Sequence, residues 1–377
     1  METKTKARFD WRWTFPADVV IWALLTFAAG WGWFLALFVA EIVMWLVRLI
    51  WLSPALLRFV VRRLIHMIPI ILAVIAIGFA LIQLAPGDIF TQLALNPNID
   101  SEVVENLRQS FGLDQPWYVQ FFKYVWNAVR GNFGYSEIFK APVFTLVLQR
   151  AGATILLAFT SLALAWGFSI PAGIMAARNQ YKWKDQVVSV FAFVGLAIPN
   201  FFLAFLMLYL ISSTGNWLPI GGMTSLDHDT LPLIGRVLDV ARHMIVPVFV
   251  LGTSAMAGLT RIMRANMLEI MNQQYITTAR AKGQKENTVV YRHALRNAIN
   301  PMITILGFQL GAIMAGSALV ENVVAWPGLG RLILQAVLSQ DLYLVVGSLI
   351  YGVALLVVGN LIADILLAFV DPRVRIG

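Results

Sequence analysis

The chain has 377 residues, 59% of them hydrophobic and only 13% charged, with a formal net charge of +8 and no cysteine. Soluble domains carry about 45–50% apolar and about 25% charged residues, so with a mean hydropathy of +0.75 this composition belongs to an integral membrane protein. The lack of cysteine excludes disulfides, thiolate metal sites and cysteine nucleophiles, and the positive charge reads as basic loops on one membrane face rather than a nucleic-acid surface.

Residues 1–57 form an apolar extension rich in Trp11, Trp13, Trp22, Trp31, Trp33, Trp45 and Trp51, side chains that favour the bilayer interface. Its apolar stretch is too long for a cleavable signal peptide and lacks a small-residue cleavage site. Lys4, Lys6, Arg8 and Arg12 hold the N-terminus inside, and the core that follows also starts inside, so the extension crosses the membrane twice or not at all. Glu41 and Arg48 share one face of its second half, which fits an interfacial helix or, preferably, a helical hairpin.

The core, 58–377, contains six stretches that meet the roughly 20 apolar residues a span requires: 64–84, 154–176, 187–212, 244–260, 301–320 and 342–369. Between the first two lies a long loop, 85–150. Within it 100–111 predicts an amphipathic helix closed by Gly112, and Trp117, Tyr118, Phe121, Phe122, Tyr124 and Trp126 predict a helix at the interface. A second loop, 213–243, carries the turn Leu218-Pro219-Ile220-Gly221-Gly222. Pro171 and Pro199 fall inside spans and predict kinks.

Orientation follows from the short loops. Arg62 and Arg63 precede the first span, and Arg178, Lys182 and Lys184 join the second to the third. Arg261, Arg264, Arg280, Lys282, Lys285, Arg292 and Arg296 join the fourth to the fifth, and Arg373 and Arg375 close the chain. The positive-inside rule puts both core termini and 263–300 in the cytoplasm, and 85–150 outside.

The segment 275–301 is a polar island between apolar stretches. The pattern predicts one helix over 263–282, stopped by Gly283 in a left-handed conformation, a second over 287–295, and a return to the bilayer at Asn300-Pro301. Small Ala279 and Ala281 would let a partner surface approach the backbone. Arg280, Lys282, Lys285, Arg292 and Arg296 supply donors to carboxylates.

Other candidates carry two readings each. Gly307, Gly311 and Ala315 form a stripe of small residues on the fifth span, for generic helix packing or for close packing around a path, including against a partner subunit. Glu321 is a gate residue or, slightly favoured, a solvated loop acid. Asp364 is the one acid well inside a core span and pairs with an arginine or carries protons. His293 reads as a surface histidine, and His66, His228 and His243 are scattered, against a metal site.

Absences narrow the chemistry. No lysine follows a glycine, so no Gly-Lys-Ser/Thr phosphate loop exists and ATP would bind another chain. The familiar zinc and serine hydrolase signatures are missing. The second to fifth spans hold no Asp, Glu, Lys, Arg or His between their apolar ends, unlike an ion-coupled carrier. A lone secondary carrier or channel and a membrane enzyme are the competing classes.

Five stretches in order carry a resemblance: Leu84-Ala85-Pro86-Gly87-Asp88; Phe111-Gly112-Leu113-Asp114-Gln115-Pro116; Gly131-Asn132-Phe133-Gly134-Tyr135-Ser136; Val320-Glu321-Asn322-Val323-Val324-Ala325-Trp326-Pro327-Gly328-Leu329-Gly330; and Asp371-Pro372-Arg373-Val374-Arg375. With Thr278-Ala279-Arg280-Ala281-Lys282-Gly283 and Arg292-His293-Ala294-Leu295-Arg296-Asn297, they resemble ABC-importer permeases of the dipeptide/oligopeptide/nickel family from Leu56 onward. Thr277-Thr278-Ala279 stands where the wider family carries Glu-Ala-Ala. The resemblance implies an all-α, six-span, type I importer permease in a bacterial or archaeal plasma (inner) membrane. Its coupling loop would be Tyr275, Thr277, Thr278, Ala279, Arg280, Ala281, Lys282, Gly283, His293, Arg296 and Asn297. It implies a homologous second permease, two ATPase subunits that bind ATP and Mg, and an extracytoplasmic peptide-binding protein. This chain itself would bind no cofactor and be no enzyme. Dipeptide, oligopeptide, nickel and other small ligands stay open as substrates.

Overall fold

The computed structural model describes residues 54–84, 100–111, 114–136 and 138–370. The chain divides into two units, Met1–Phe59 and Val60–Gly377, and the architecture that follows is that of the second. The extension 1–53, the stretches 85–88 and 371–375, Gly112, and the side chains of Ala315 and Asp364 lie outside the described residues.

The fold is an all-α bundle. Helix α1 (Pro54–Leu84), α2 (Ser101–Phe111) and α3 (Trp117–Val129) precede a two-residue antiparallel hairpin of β1 (Tyr135–Ser136) and β2 (Ala141–Pro142). Then come α4 (Val143–Arg178), α5 (Trp183–Ala197), α6 (Asn200–Ser213) and α7 (Leu233–Met271). The polar island folds as α8 (Gln274–Ala281), α9 (Glu286–Thr288), a π-helical turn (Val289–Ala294) and α10 (Leu295–Ala298). Helices α11 (Asn300–Thr304), α12 (Leu306–Val323), α13 (Leu329–Leu338) and α14 (Leu342–Val370) complete the chain.

Among the described residues, five helices are long and apolar enough to cross a membrane, and six if the bent pair α5 and α6 counts as one. That pair is the expected third span, and it is broken by a 100° bend. Ile198 is extended, as a residue before proline prefers, and Pro199 starts α6. Pro171 and Pro247, by contrast, sit inside unbroken helices. The fourth span also differs from expectation: α7 begins at Leu233, so the predicted loop 213–243 gives up its last turns to helix. In the fifth, a step at Ile305 separates α11 from α12.

Helices α4 and α7 form the centre, and small side chains set their separation. Ser169 Oγ donates to the Met256 carbonyl at 3.1 Å, and a methyl group at Gly173 would stand 2.6 Å from Met263 Cβ. Helix α1 lies against α14 and α3, with Ile75 buried beside Val346, Ile350 and Ala128 and Phe79 edge-on to Phe121 at 5.4 Å. The outer faces stay apolar, Phe193 and Phe202 being exposed, as helices surrounded by lipid tails require.

The glycine stripe of α12 belongs to this internal packing. A methyl group at Gly307 would lie 2.6 Å from the Asn360 Cα of α14, and one at Gly311 would overlap Leu356. Both glycines therefore face the chain's own last helix, as the packing reading expects. Next to Gly307 on α12, Phe308 is 70% exposed. Gly307→Leu should lower stability by about 1–3 kcal/mol through overpacking, and Phe308→Ala should change it by less than about 0.5 kcal/mol. Apparent unfolding temperatures of the two variants in detergent check the contrast.

Candidate functional site

The polar island is built on a buried core rather than draped over a surface. Ile276, Val289, Val290 and Ala294 are fully buried, with Ala279 at 8% exposure. They pack with Met263 and Met267 of α7, with Ile174 and Ala177 of α4, and with Met302 of α11. The spacing of Ile276 and Ala279 puts both on one face of α8. This corrects one expectation: Ala279 turns inward and offers no surface to a partner, whereas Ala281 is exposed.

The helix expected over 263–282 is broken at Asn272 and Gln273, where α7 ends and α8 sets off in its own direction. Gly283 ends α8 at φ +73°. Its N–H donates to the Arg280 carbonyl at 2.9 Å, and the Gln284 N–H donates to the Ala279 carbonyl at 3.3 Å. This is the two-bond stop that a left-handed residue makes at a helix end. The second helix is present too, but its middle is wound as a π-helical turn, a rare geometry frequent at functional sites.

Tyr275, Thr277, Thr278, Arg280, Ala281, Lys282, Gly283, Arg296 and Asn297 are exposed, and His293 is half-buried. Three side-chain pairs stitch the two arms together. Asn297 Nδ2 donates to Tyr275 Oη at 2.8 Å, His293 Nε2 lies 2.7 Å from Gln284 Oε1, and Arg280 pairs with Glu286 at 2.8 and 3.2 Å. The Arg280 guanidinium holds the Glu286 carboxyl below the usual glutamate range. The island is thus a folded, basic knob continuous with the core of α4 and α7.

Glu321 lies at the opposite end of the bundle and is not a solvated acid. It is fully buried. Its carboxyl group accepts from Thr154 Oγ1 at 2.9 Å, Ser317 Oγ at 3.0 Å and the Arg331 N–H at 3.0 Å. Trp326, also fully buried, donates from Nε1 to the Ala153 carbonyl at 3.1 Å. The Leu329 N–H donates to Thr154 Oγ1 at 2.7 Å. Gly328 sits against the carboxyl group, where any Cβ would collide with it. The segment 321–331 is therefore a clip joining α12 and α13 to α4.

Sequence reasoning also missed a convergence around Asp239. His228 Nδ1 lies 2.7 Å from its Oδ2, His243 Nδ1 lies 3.3 Å from its Oδ1, and Ser225 bonds it through both N–H and hydroxyl. Two of the three histidines expected to be scattered meet here, because α7 starts early enough to carry Asp239 and His243 one turn apart. Among the described residues, no group of three or more His, Cys, Asp or Glu side chains is arranged to hold a metal ion.

Residues 169–376 match a family model described as "Binding-protein-dependent transport system inner membrane component". Residues 56–158 match the corresponding N-terminal model. The chain is 41% identical over 318 residues, covering 84% of it and 99% of the relative, to the oligopeptide transport system permease protein AppB of Bacillus subtilis (strain 168). It is 35% identical over 320 residues, 85% of it and 99% of the relative, to the glutathione transport system permease protein GsiC of Escherichia coli (strain K12). A solved inward-facing structure of the MetNI methionine ABC transporter aligns over 60% of this chain and 96% of that one, with 18% identity and a TM-score of 0.49.

Three substitutions at two positions separate the structural parts of these sites. Glu321→Ala leaves two hydroxyls and an N–H without their acceptor and should cost about 3 kcal/mol or more, whereas Glu321→Gln keeps an acceptor and should cost less. Unfolding of purified variants gives the ranking. Glu286→Gln should cost no more than about 1 kcal/mol at neutral pH, since the pair is exposed. Because folding depresses the Glu286 pKa, its contribution is present above the ordinary glutamate range and fades as pH falls through the folded value. The stabilities of Glu286→Gln and the unsubstituted chain should therefore converge on acidification.

Proposed function

This chain belongs to the family of binding-protein-dependent transport system inner membrane components, and from that premise we propose that it carries di- or oligopeptides across the plasma membrane. It is a multi-pass permease subunit of an ABC importer. Two relatives support the finer reading, one named for oligopeptides and one for glutathione, itself a tripeptide.

In this reading the basic knob faces the cytoplasm, as the positive-inside rule favours, and ATPase subunits grip it. ATP and Mg bind to those subunits. A second, related permease completes the path, and a binding protein delivers peptide from outside. Tyr275, Thr278, Ala281, Lys282, Arg292, Arg296 and Asn297 present the gripping surface, and Gly283 keeps α8 at its angle. The observation that carries the proposal is the buried core under the knob. A surface loop would bend when pushed. A knob sharing Met263 and Met267 with α7, and Ile174 with α4, passes its displacement to both helices. Nucleotide-driven closure of the ATPases would thereby switch which side of the path is open.

Lys282→Glu with Arg292→Glu reverses charge on the exposed face and leaves the buried contacts alone. Insertion should be normal, while ATPase recovery with a tagged chain should drop about tenfold or more, as loss of charge-assisted contacts predicts. Gly283→Val strains the stop without touching the charges and should uncouple ATP hydrolysis from peptide uptake. Undiminished uptake in both variants would end the coupling reading.

A further inference from the structure

We propose that Asp185 and Arg264 form a strut that makes α5 travel with the basic knob. The proposal rests on the coupling reading above and adds the positioning residues through which α5 follows.

The geometry begins with a buried charge. Asp185, in the first turn of α5, is only 4% exposed. Arg264 of α7 grips it with two parallel bonds, Nε to Oδ1 at 2.6 Å and Nη2 to Oδ2 at 2.7 Å. Such forked pairing is the most directional ionic contact a protein makes. The same carboxylate accepts the Tyr181 N–H at 3.0 Å, and Tyr181 holds φ +63°. One aspartate therefore fixes α5, the tight turn from α4 and the end of α7 together.

Two further contacts tie the same pair of helices. The Arg261 guanidinium lies 5.4 Å from the centre of the Phe193 ring. Gly195 meets Thr253 and Ala257, a Cβ there standing 3.3 Å from either side chain. Helix α5 is thus bound to α7 along its length. Its own continuation is not in line to hold it, because α6 departs at 100° and packs on α12 as well as α7. Arg264 is one residue from Met263, which lies in the core beneath the knob. A push on the knob reaches Arg264 within a turn of helix, and the strut passes it to α5.

The absence of cysteine makes the test direct. Spin labels on Val187→Cys and Glu269→Cys, both exposed, report the separation of α5 and α7 in the complete complex reconstituted in lipid nanodiscs. With the strut intact, that distance should be the same in nucleotide-free and ATP–vanadate-trapped complexes. Asp185→Asn, which keeps the shape and loses the charge, should shift or broaden it on trapping. The reversed pair Asp185→Arg with Arg264→Asp should narrow it again. In the same variants, uptake of radiolabelled trialanine per ATP hydrolysed should fall about tenfold or more with Asp185→Asn, within the usual range of coupling between distant sites, and recover with the reversed pair.

A second measurement avoids any folding defect. Gly195→Cys with Ala257→Cys should form a disulfide that locks α5 to α7 and leaves ATP-driven function intact. Loss of function on oxidation, restored by reduction, overturns the strut, as does a distance in the intact protein that changes on trapping, or one that Asp185→Asn leaves untouched. Failure of the peptide reading looks different: trialanine is not taken up even by the unsubstituted complex, while the distance measurements still decide the strut.

Discussion

Burial of Ile276, Val289, Val290 and Ala294 against Met263 and Met267 is the interaction on which the rest depends. Each fully buried Ile, Val or Met side chain among them contributes on the order of 1.5–3 kcal/mol relative to exposure. Together they fuse an otherwise polar, highly charged segment to the bundle. Without that burial the island would be a loop whose position is independent of the spans. With it, the segment behaves as the end of α7 and α4, and its basic residues become a rigid surface at a defined angle.

The opposite end of the bundle is tied by polar contacts rather than apolar ones. Glu321 and Trp326 place two large polar side chains in a fully buried setting, and their side-chain hydrogen bonds run to α4, to Ser317 on the same helix and to the start of α13. A buried acid with hydroxyl and amide donors fixes one geometry, since any rearrangement strands a polar atom away from water. Glycines at 328 and 307 serve a steric purpose in the same economy of space, letting a carboxyl group and a neighbouring helix come closer than any side chain would allow. Between these ends α4 and α7 run as the common frame.

Much of the architecture was legible in the residues. Apolar stretches of span length are self-announcing, since a bilayer demands internal satisfaction of every backbone polar group. Gly283 was legible for a similar reason: a glycine directly after a charged helical stretch marks the left-handed stop. Other readings failed where one-dimensional pattern is ambiguous. Ala279 looked available because it is small, but its register with Ile276 turns it inward. Glu321 looked solvated because it follows an apolar span, yet acceptable donors lie 167 residues away at Thr154. His228 and His243 looked scattered because their meeting at Asp239 needs a turn and a helix start that no periodicity announces.

Composition, hydrophobic run length and the basic loops by themselves determined that this is an all-α membrane protein whose core, 58–377, holds about six stretches of span length and a charged island. Those are properties of single segments in contact with lipid or water. Tertiary structure alone decided which face of α8 is buried, that the third span breaks at Pro199, that Asp185 meets Arg264, and that Glu321 is a clip. The physical reason is the same in each case. Burial and pairing are properties of two segments brought together, and the energy of a buried polar group is set by the partner it finds rather than by its neighbours along the chain.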